Sequence, residues 1–139
     1  MDASVKMDGG AMRFVGAADS GFPVVMDAHP SVGGDNNGAR PMELLLLGLC
    51  GCTAMDVISI LRKKRQQVSG LEVKAHAKNA ETYPKVFTNI ALEYIVTGKE
   101  VDPQAVERAI QLSAERYCPA QAMLGQVAGM DLTFTIIEE

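Results

Sequence analysis

The sequence predicts an α+β domain, and three observations carry that reading. A long helical pattern opens at Pro41 and runs to about Gln67 without an internal proline. Two stretches after Ser69-Gly70 alternate apolar and polar residues, as strands with one solvated side do. A second helix start at Asp102-Pro103 is followed by a strand-like end, so strands and helices come in separate runs rather than strict alternation.

Taken in order, the first third reads as short strands. Met12 to Val15 and Pro23 to Asp27 are apolar-rich and β-branched, with the turn-forming Asp19-Ser20-Gly21 between them. Gly33-Gly34-Asp35-Asn36-Asn37-Gly38 is too polar and glycine-rich for regular structure and reads as a loop. Pro41 suits a first helical position, because it needs no N–H there and its φ is already helical.

Leu44 to Leu47, Leu49, Met55, Val57, Ile58, Ile60 and Leu61 make the first part of this helix apolar on nearly all sides. Such a helix is expected to be buried on most sides, as the central element of a fold or of a dimer. Gly48 and Gly51 each cost about 1 kcal/mol relative to alanine in a helix interior, which points to close approach of another backbone. Arg62-Lys63-Lys64-Arg65 closes the pattern and complements the negative end of the helix dipole.

Leu71 to Ala77 and Ile90 to Val96 are the two alternating strands, antiparallel and joined through a turn near Tyr83-Pro84. Asp102 reads as an N-cap, and Ala105, Val106, Ala109, Ile110 and Leu112 form an apolar stripe behind it. This helix should end at Cys118, since a residue before proline disfavours the helical conformation. Pro119 then opens a shorter helix through Met123 and Leu124, and Asp131 to Glu138 is the last strand.

Composition narrows the function. The 139 residues fit one domain, 1–139, and the 47% apolar and 22% charged content is ordinary for a globular core. A net charge of −4 without clustered cations argues against nucleic acid, which needs phosphate contacts. The first eight residues carry two acids and no apolar run, so no signal peptide is expected and the cytoplasm is the expected compartment. Met42 to Ile60 is long and apolar, but it holds Glu43 and Asp56, so a buried core helix is expected there and no membrane partner. A phosphate-binding glycine loop, a Gly-x-Ser-x-Gly elbow and a Cys-x-x-Cys pair are all absent from the sequence.

The chemistry therefore rests on three cysteines, which in a reducing compartment are free thiols, metal ligands or redox catalysts. Cys118 stands just before Pro119, at the N-cap of the third helix. There unpaired N–H groups and the positive dipole end are expected to stabilise a thiolate and lower its pKa. Cys52 lies inside the apolar helix, where a cysteine also serves as a small hydrophobe. Cys50 points about 200° away from Cys52 on one helix, so it reads as a packing or interface residue. The two histidines, His29 and His76, do not recur at zinc-site spacing, and no metal is expected. Either histidine could act as a general base, though a lone exposed histidine is usually just solvated.

Pro41-Met42-Glu43-Leu44-Leu45-Leu46, Gly51-Cys52-Thr53-Ala54-Met55-Asp56-Val57 and Tyr117-Cys118-Pro119 together resemble the OsmC/Ohr family, and within it the YhfA-like branch. Pro84-Lys85-Val86-Phe87-Thr88 and Leu112-Ser113-Ala114-Glu115 extend the resemblance over nearly the whole chain. It implies the OsmC-like fold: antiparallel sheets packed around a long buried central helix in an intertwined homodimer, with active sites at the subunit interface. It also implies a cofactor-free reduction of organic hydroperoxides. Cys52 would be the peroxidatic residue, passing through a sulfenic acid, and Cys118 the resolving residue that closes a Cys52–Cys118 disulfide. A dithiol of lipoyl type, or another small thiol, would restore the pair.

Two departures qualify the resemblance. Peroxidase members place a glutamate directly after the proline, where this chain has Met42; Glu43 follows, about 100° further round the helix. Those members also use an arginine from an N-terminal segment, for which Arg13 and Arg40 are the candidates here. In an apolar pocket without a nearby cation a thiol attacks slowly. The alternatives are therefore a thiol or sulfur-handling protein that uses the same cysteines without significant peroxidase activity, or a module whose apolar dimer cavity holds a hydrophobic ligand.

Overall fold

The chain opens with an antiparallel meander of β1 (Ala3–Met7), β2 (Phe14–Ala18) and β3 (Val24–Met26). The computed structural model describes residues 1–139 and divides them into two units, Met1–Leu46 and Leu47–Glu139. β3 lies where a strand was expected, β2 begins two residues later than expected and runs on to Ala18, and β1 was not anticipated. It is only five residues long and exposed throughout, and it is held by its register with β2, from Ala3 opposite Ala18 to Met7 opposite Phe14.

The loop after β3 is organised around Asp27, which is only 3% exposed. Its carboxylate accepts the backbone N–H groups of Ala28 (2.7 Å), Asn37 (3.0 Å) and Asp35 (3.3 Å). Those bonds, the one from Ala28 above all, hold the Asp27 pKa below the ordinary carboxylate value. The loop folds back closely: a Cβ at Gly34 would lie 2.0 Å from the carbonyl oxygen of Ala28, so only glycine fits.

α1 (Pro41–Lys63) begins at the expected proline. Glu43 reaches back to accept the N–H of Arg40 at 2.7 Å, the reciprocal half of a capping box. The helix ends at Lys63, a turn before the expected Gln67. Arg65 adopts a left-handed φ of 57°, the Gln66 N–H donates to the Leu61 carbonyl (3.0 Å) and the Arg65 N–H to that of Arg62 (2.9 Å). Those paired bonds are a Schellman cap, which stops the helix whatever the composition beyond it.

In the second unit, β4 (Gln67–Asn79), β5 (Phe87–Lys99) and β6 (Gly129–Glu138) form a sheet with β5 in the centre. β4 and β5 are antiparallel, as expected, with Val73 opposite Tyr94. β6 runs parallel to β5, with Phe134 opposite Tyr94, so this sheet is mixed. The segment between β5 and β6 carries α2 (Pro103–Leu112), a π-helical turn (Ser113–Tyr117) and α3 (Pro119–Leu124). A crossover of that length is what a parallel pair requires.

Ile90, Leu92, Tyr94 and Val96 alternate along β5 and are at most 1% exposed. They share a core with Leu49, Val57 and Leu61 of α1 and with Val106 and Ala109 of α2, all fully buried. Each aliphatic side chain so enclosed contributes about 1.5–3 kcal/mol.

The expected all-round burial of α1 is not realised within the chain. Its buried residues, Leu49, Thr53, Val57 and Leu61, recur every fourth position and form a single stripe, while Leu45, Leu47 and Met55 are 49%, 62% and 74% exposed. A Cβ at Gly48 or Gly51 would meet nothing within 4 Å, so no backbone of this chain approaches there. By length and composition α1 could cross a membrane. Its stripe instead closes a core and its Asp56 is hydrogen-bonded, as in a core helix of a soluble fold.

Candidate functional site

The second unit brings Cys52 and Cys118 together. Cys52 is half-buried on α1, Cys118 is 3% exposed at the N-cap of α3, and Cys52 lies near enough to help raise the pKa of the Cys118 thiol. Both are free, as is Cys50. Helix geometry explains the placement of Cys118. The chain leaves α2 through one π-helical turn, closed by the Cys118 N–H donating to the Ser113 carbonyl at 2.8 Å, and restarts at Pro119. Turns of this kind recur at functional sites.

Cys118 is an N-cap as expected, and its sulfur accepts the Gln121 N–H at 3.3 Å. The expected fall in its pKa does not follow. Burial dominates and pushes the thiol up from 9.0 to about 11; the Gln121 N–H opposes the rise, and the neighbouring Cys52 sulfur adds to it. The dipole of a six-residue helix is weaker than the loss of solvent around a sulfur enclosed this fully. Cys118 therefore holds its proton at neutral pH. Burial likewise raises the pKa of Cys50.

Around the pair lies a buried polar network that sequence reasoning missed. The Ser113 hydroxyl donates to Asp56 Oδ2 at 2.9 Å. Thr53 Oγ1 lies 2.8 Å from Ser113 Oγ and 2.7 Å from the Tyr94 hydroxyl, and Gln121 Nε2 donates to it at 3.1 Å. A hydroxyl has one hydrogen to give, so the order is determined: Tyr94 donates to Thr53, Thr53 to Ser113, and Ser113 to Asp56. Thr53 thus accepts two bonds and donates one, its full capacity. Thr53, Tyr94 and Ser113 are 0% exposed and Gln121 5%. The available signal was Thr53 and Asp56 in the apolar middle of the helix, between Leu44 and Ile58; nothing local shows that Ser113 and Gln121 answer them.

The other candidates occupy separate settings. Arg13 forms an ion pair with Asp8 at 3.4 Å, and its Nε is buried without a partner. The Arg40 guanidinium donates to the Gly38 carbonyl (3.1 Å) and Asn36 Oδ1 (2.5 Å), while Glu43 caps α1. All three belong to the first unit. His29 caps the short Pro30–Val32 helix, accepting the Ser31 N–H at 3.1 Å, and His76 is exposed on β4. No three His, Cys, Asp or Glu side chains converge in a metal-binding arrangement.

Comparison with known proteins agrees with this architecture. Residues 34–132 match the family model described as OsmC-like protein. The chain is 39% identical to Protein YhfA of Escherichia coli K12, over 99% of this chain and 98% of that protein. A hypothetical protein from Aquifex aeolicus VF5 superposes with a TM-score of 0.87 at 28% identity, covering 99% of this chain and 96% of the other. An organic hydroperoxide resistance protein from Elizabethkingia anophelis shares the fold with a TM-score of 0.71 at 16% identity, covering 97% and 94%.

Proposed function

We propose, since the chain belongs to the OsmC-like protein family, that it is a thiol redox protein that reduces organic hydroperoxides with Cys52 and Cys118. The observation that carries the reading is the meeting of a half-buried thiol on α1 with an enclosed, protonated thiol at the start of α3. The fold is also that of a protein described as conferring organic hydroperoxide resistance.

Cys52 is the more open of the two and takes the role of nucleophile. Its thiolate attacks the distal peroxide oxygen; an S–O bond forms, the O–O bond breaks, and the alkoxide leaves as the alcohol after taking a proton. Cys118 then attacks the sulfenic sulfur. The S–S bond forms and water leaves, carrying the sulfenic hydroxyl and the Cys118 proton. A dithiol of lipoyl type or another small thiol exchanges with this disulfide and restores both thiols, so no flavin, haem or metal is required. Arg40, Arg13 and Glu43 remain the candidates for holding thiolate and peroxide. Glu43→Gln separates two roles, because glutamine still caps a helix but carries no charge.

The working form in this proposal is a homodimer in the cytoplasm. The apolar side of α1 around Leu47 and Met55, and the open space at Gly48 and Gly51, fit a second copy of the same helix.

The test is peroxide-driven thiol loss, comparing cumene hydroperoxide with hydrogen peroxide and mapping the product by peptide mass. Loss of two thiols with a Cys52–Cys118 bridge, faster for the organic peroxide, is the expected result. Absence of oxidation at substoichiometric peroxide would overturn it. That outcome would favour the sulfur-handling or the ligand-binding alternative.

A further inference from the structure

The polar network has a geometry that bears on disulfide closure. Cys118 is fastened on both sides in sequence. Five residues before it, Ser113 accepts its backbone N–H (2.8 Å); three residues after it, Gln121 donates a backbone N–H to its sulfur (3.3 Å). Both flanking residues are then tied to one side chain of α1. Ser113 Oγ lies 2.8 Å from Thr53 Oγ1, and Gln121 Nε2 donates to the same oxygen at 3.1 Å. Thr53 is the immediate neighbour of Cys52. Asp56, one turn along α1, takes the Ser113 hydrogen and so compels Thr53 to donate to Ser113 and to accept from Tyr94 and Gln121.

We infer that Thr53, Ser113 and Gln121, oriented by Asp56, are positioning residues that hold the Cys118 sulfur against Cys52 for disulfide closure. In purpose the inference rests on the thiol-redox reading above. In substance it rests on these bonds, since a π-helical turn and a six-residue helix have little internal rigidity to place a sulfur by themselves. Disulfide formation demands a narrow range of sulfur approach, and small misplacement of reacting atoms slows reaction strongly.

The role can be read without peroxide. In the full chain carrying Cys50→Ser, Cys52 is converted to its mixed disulfide with glutathione, and the release of glutathione is timed. In that step the Cys118 thiolate attacks the Cys52 sulfur. The protein S–S bond forms, the bond to glutathione breaks, and glutathione leaves as its thiolate. Thr53→Val and Ser113→Ala are expected to close about tenfold more slowly or worse, and Thr53→Ser and Ser113→Thr, which keep the hydroxyl, within about threefold of the parent. Gln121→Met keeps the volume and removes only the tie to Thr53. It is expected to slow closure as well, and it serves if Thr53→Val does not fold.

The companion measurement is oxidation of Cys52 by cumene hydroperoxide in a Cys118→Ser background, which these variants should change by less than about twofold. Unchanged closure in Thr53→Val, Ser113→Ala and Gln121→Met would overturn the inference. Equal slowing of both steps would overturn it too, because that is the signature of a general loss of structure. A parent protein that ignores hydroperoxide but closes with glutathione, with the variants slow, ends the peroxidase reading and supports this one. A parent that does not close at all ends this one.

Discussion

Asp27 and Asp56 are both carboxylates hydrogen-bonded within their own unit, and they are held in different ways. Asp27 accepts backbone N–H groups one, eight and ten residues ahead of it. Asp56 accepts a serine hydroxyl 57 residues away, and through it a chain of side chains from β5 and α3. The first arrangement shapes a loop with its own backbone and asks for glycine at Gly34 rather than for particular polar side chains. The second depends on the hydroxyl or amide of each participant and ties together elements that meet only once the sheet and helices have assembled. Local polar burial makes shape, whereas long-range polar burial makes a site, and the thiol pair lies beside the second kind.

The largest effect expected from this difference is catalytic. Cys52→Ser should reduce hydroperoxide consumption to the uncatalysed background, while Asp27→Asn should leave the rate per folded molecule near wild type. A rate lost equally in both would erase the distinction. Next in size is stability. Thr53→Val removes the acceptor of the Tyr94 hydroxyl and the Gln121 amide and the donor to Ser113, which keeps its bond to Asp56, and should lower the unfolding free energy in urea by about 3 kcal/mol. Asp27→Asn, measured the same way, should cost less.

The two regions should also differ in pH dependence. The Asp27 pKa is lowered from 3.8, so its contribution is present above that value and is lost as pH falls through the lower folded pKa. Wild type should therefore lose stability below about pH 4 more steeply than Asp27→Asn does. Cys118 acts with the opposite sign. Its pKa is raised from 9.0 to about 11, so its contribution is complete below pH 9 and disappears as pH climbs toward 11. Thermal melts of Cys118→Ser should show a shallower alkaline limb, the remainder coming from Cys50 and Tyr94, whose pKa values burial also raises. Closure of the disulfide should accelerate about tenfold per pH unit until the same upper value, as the thiolate fraction grows. The smallest expected effect is at the entrance to α1, where Glu43→Ala should cost a few tenths to about 1 kcal/mol through loss of the cap, and Glu43→Gln almost nothing.

Much of the element order was legible in the sequence. Pro41, Asp102-Pro103 and Cys118-Pro119 each open a helix where they stand, because a helix start is decided by a capping side chain and a proline within three residues. Cys52 and Cys118 stood out as candidates through their setting, Cys52 within the apolar helix and Cys118 before a proline. β1 was not, since five exposed residues carry too little pattern to distinguish a strand from an extended tail. The parallel direction of β6 was equally hidden: alternation reports which face a strand buries and says nothing of the sense in which it pairs.

The sequence by itself determined where α1, α2 and α3 begin, which face of β4 and β5 is apolar, and that two cysteines stand at chemically suggestive positions. All of these follow from contacts within a few residues. Only the tertiary structure decided that Cys118 is pushed up rather than down, because desolvation depends on what encloses a sulfur and not on the cap it occupies. It also decided that Thr53, Asp56, Tyr94, Ser113 and Gln121 form one network, since a hydrogen bond between residues 41 to 68 positions apart exists only after the intervening chain has folded.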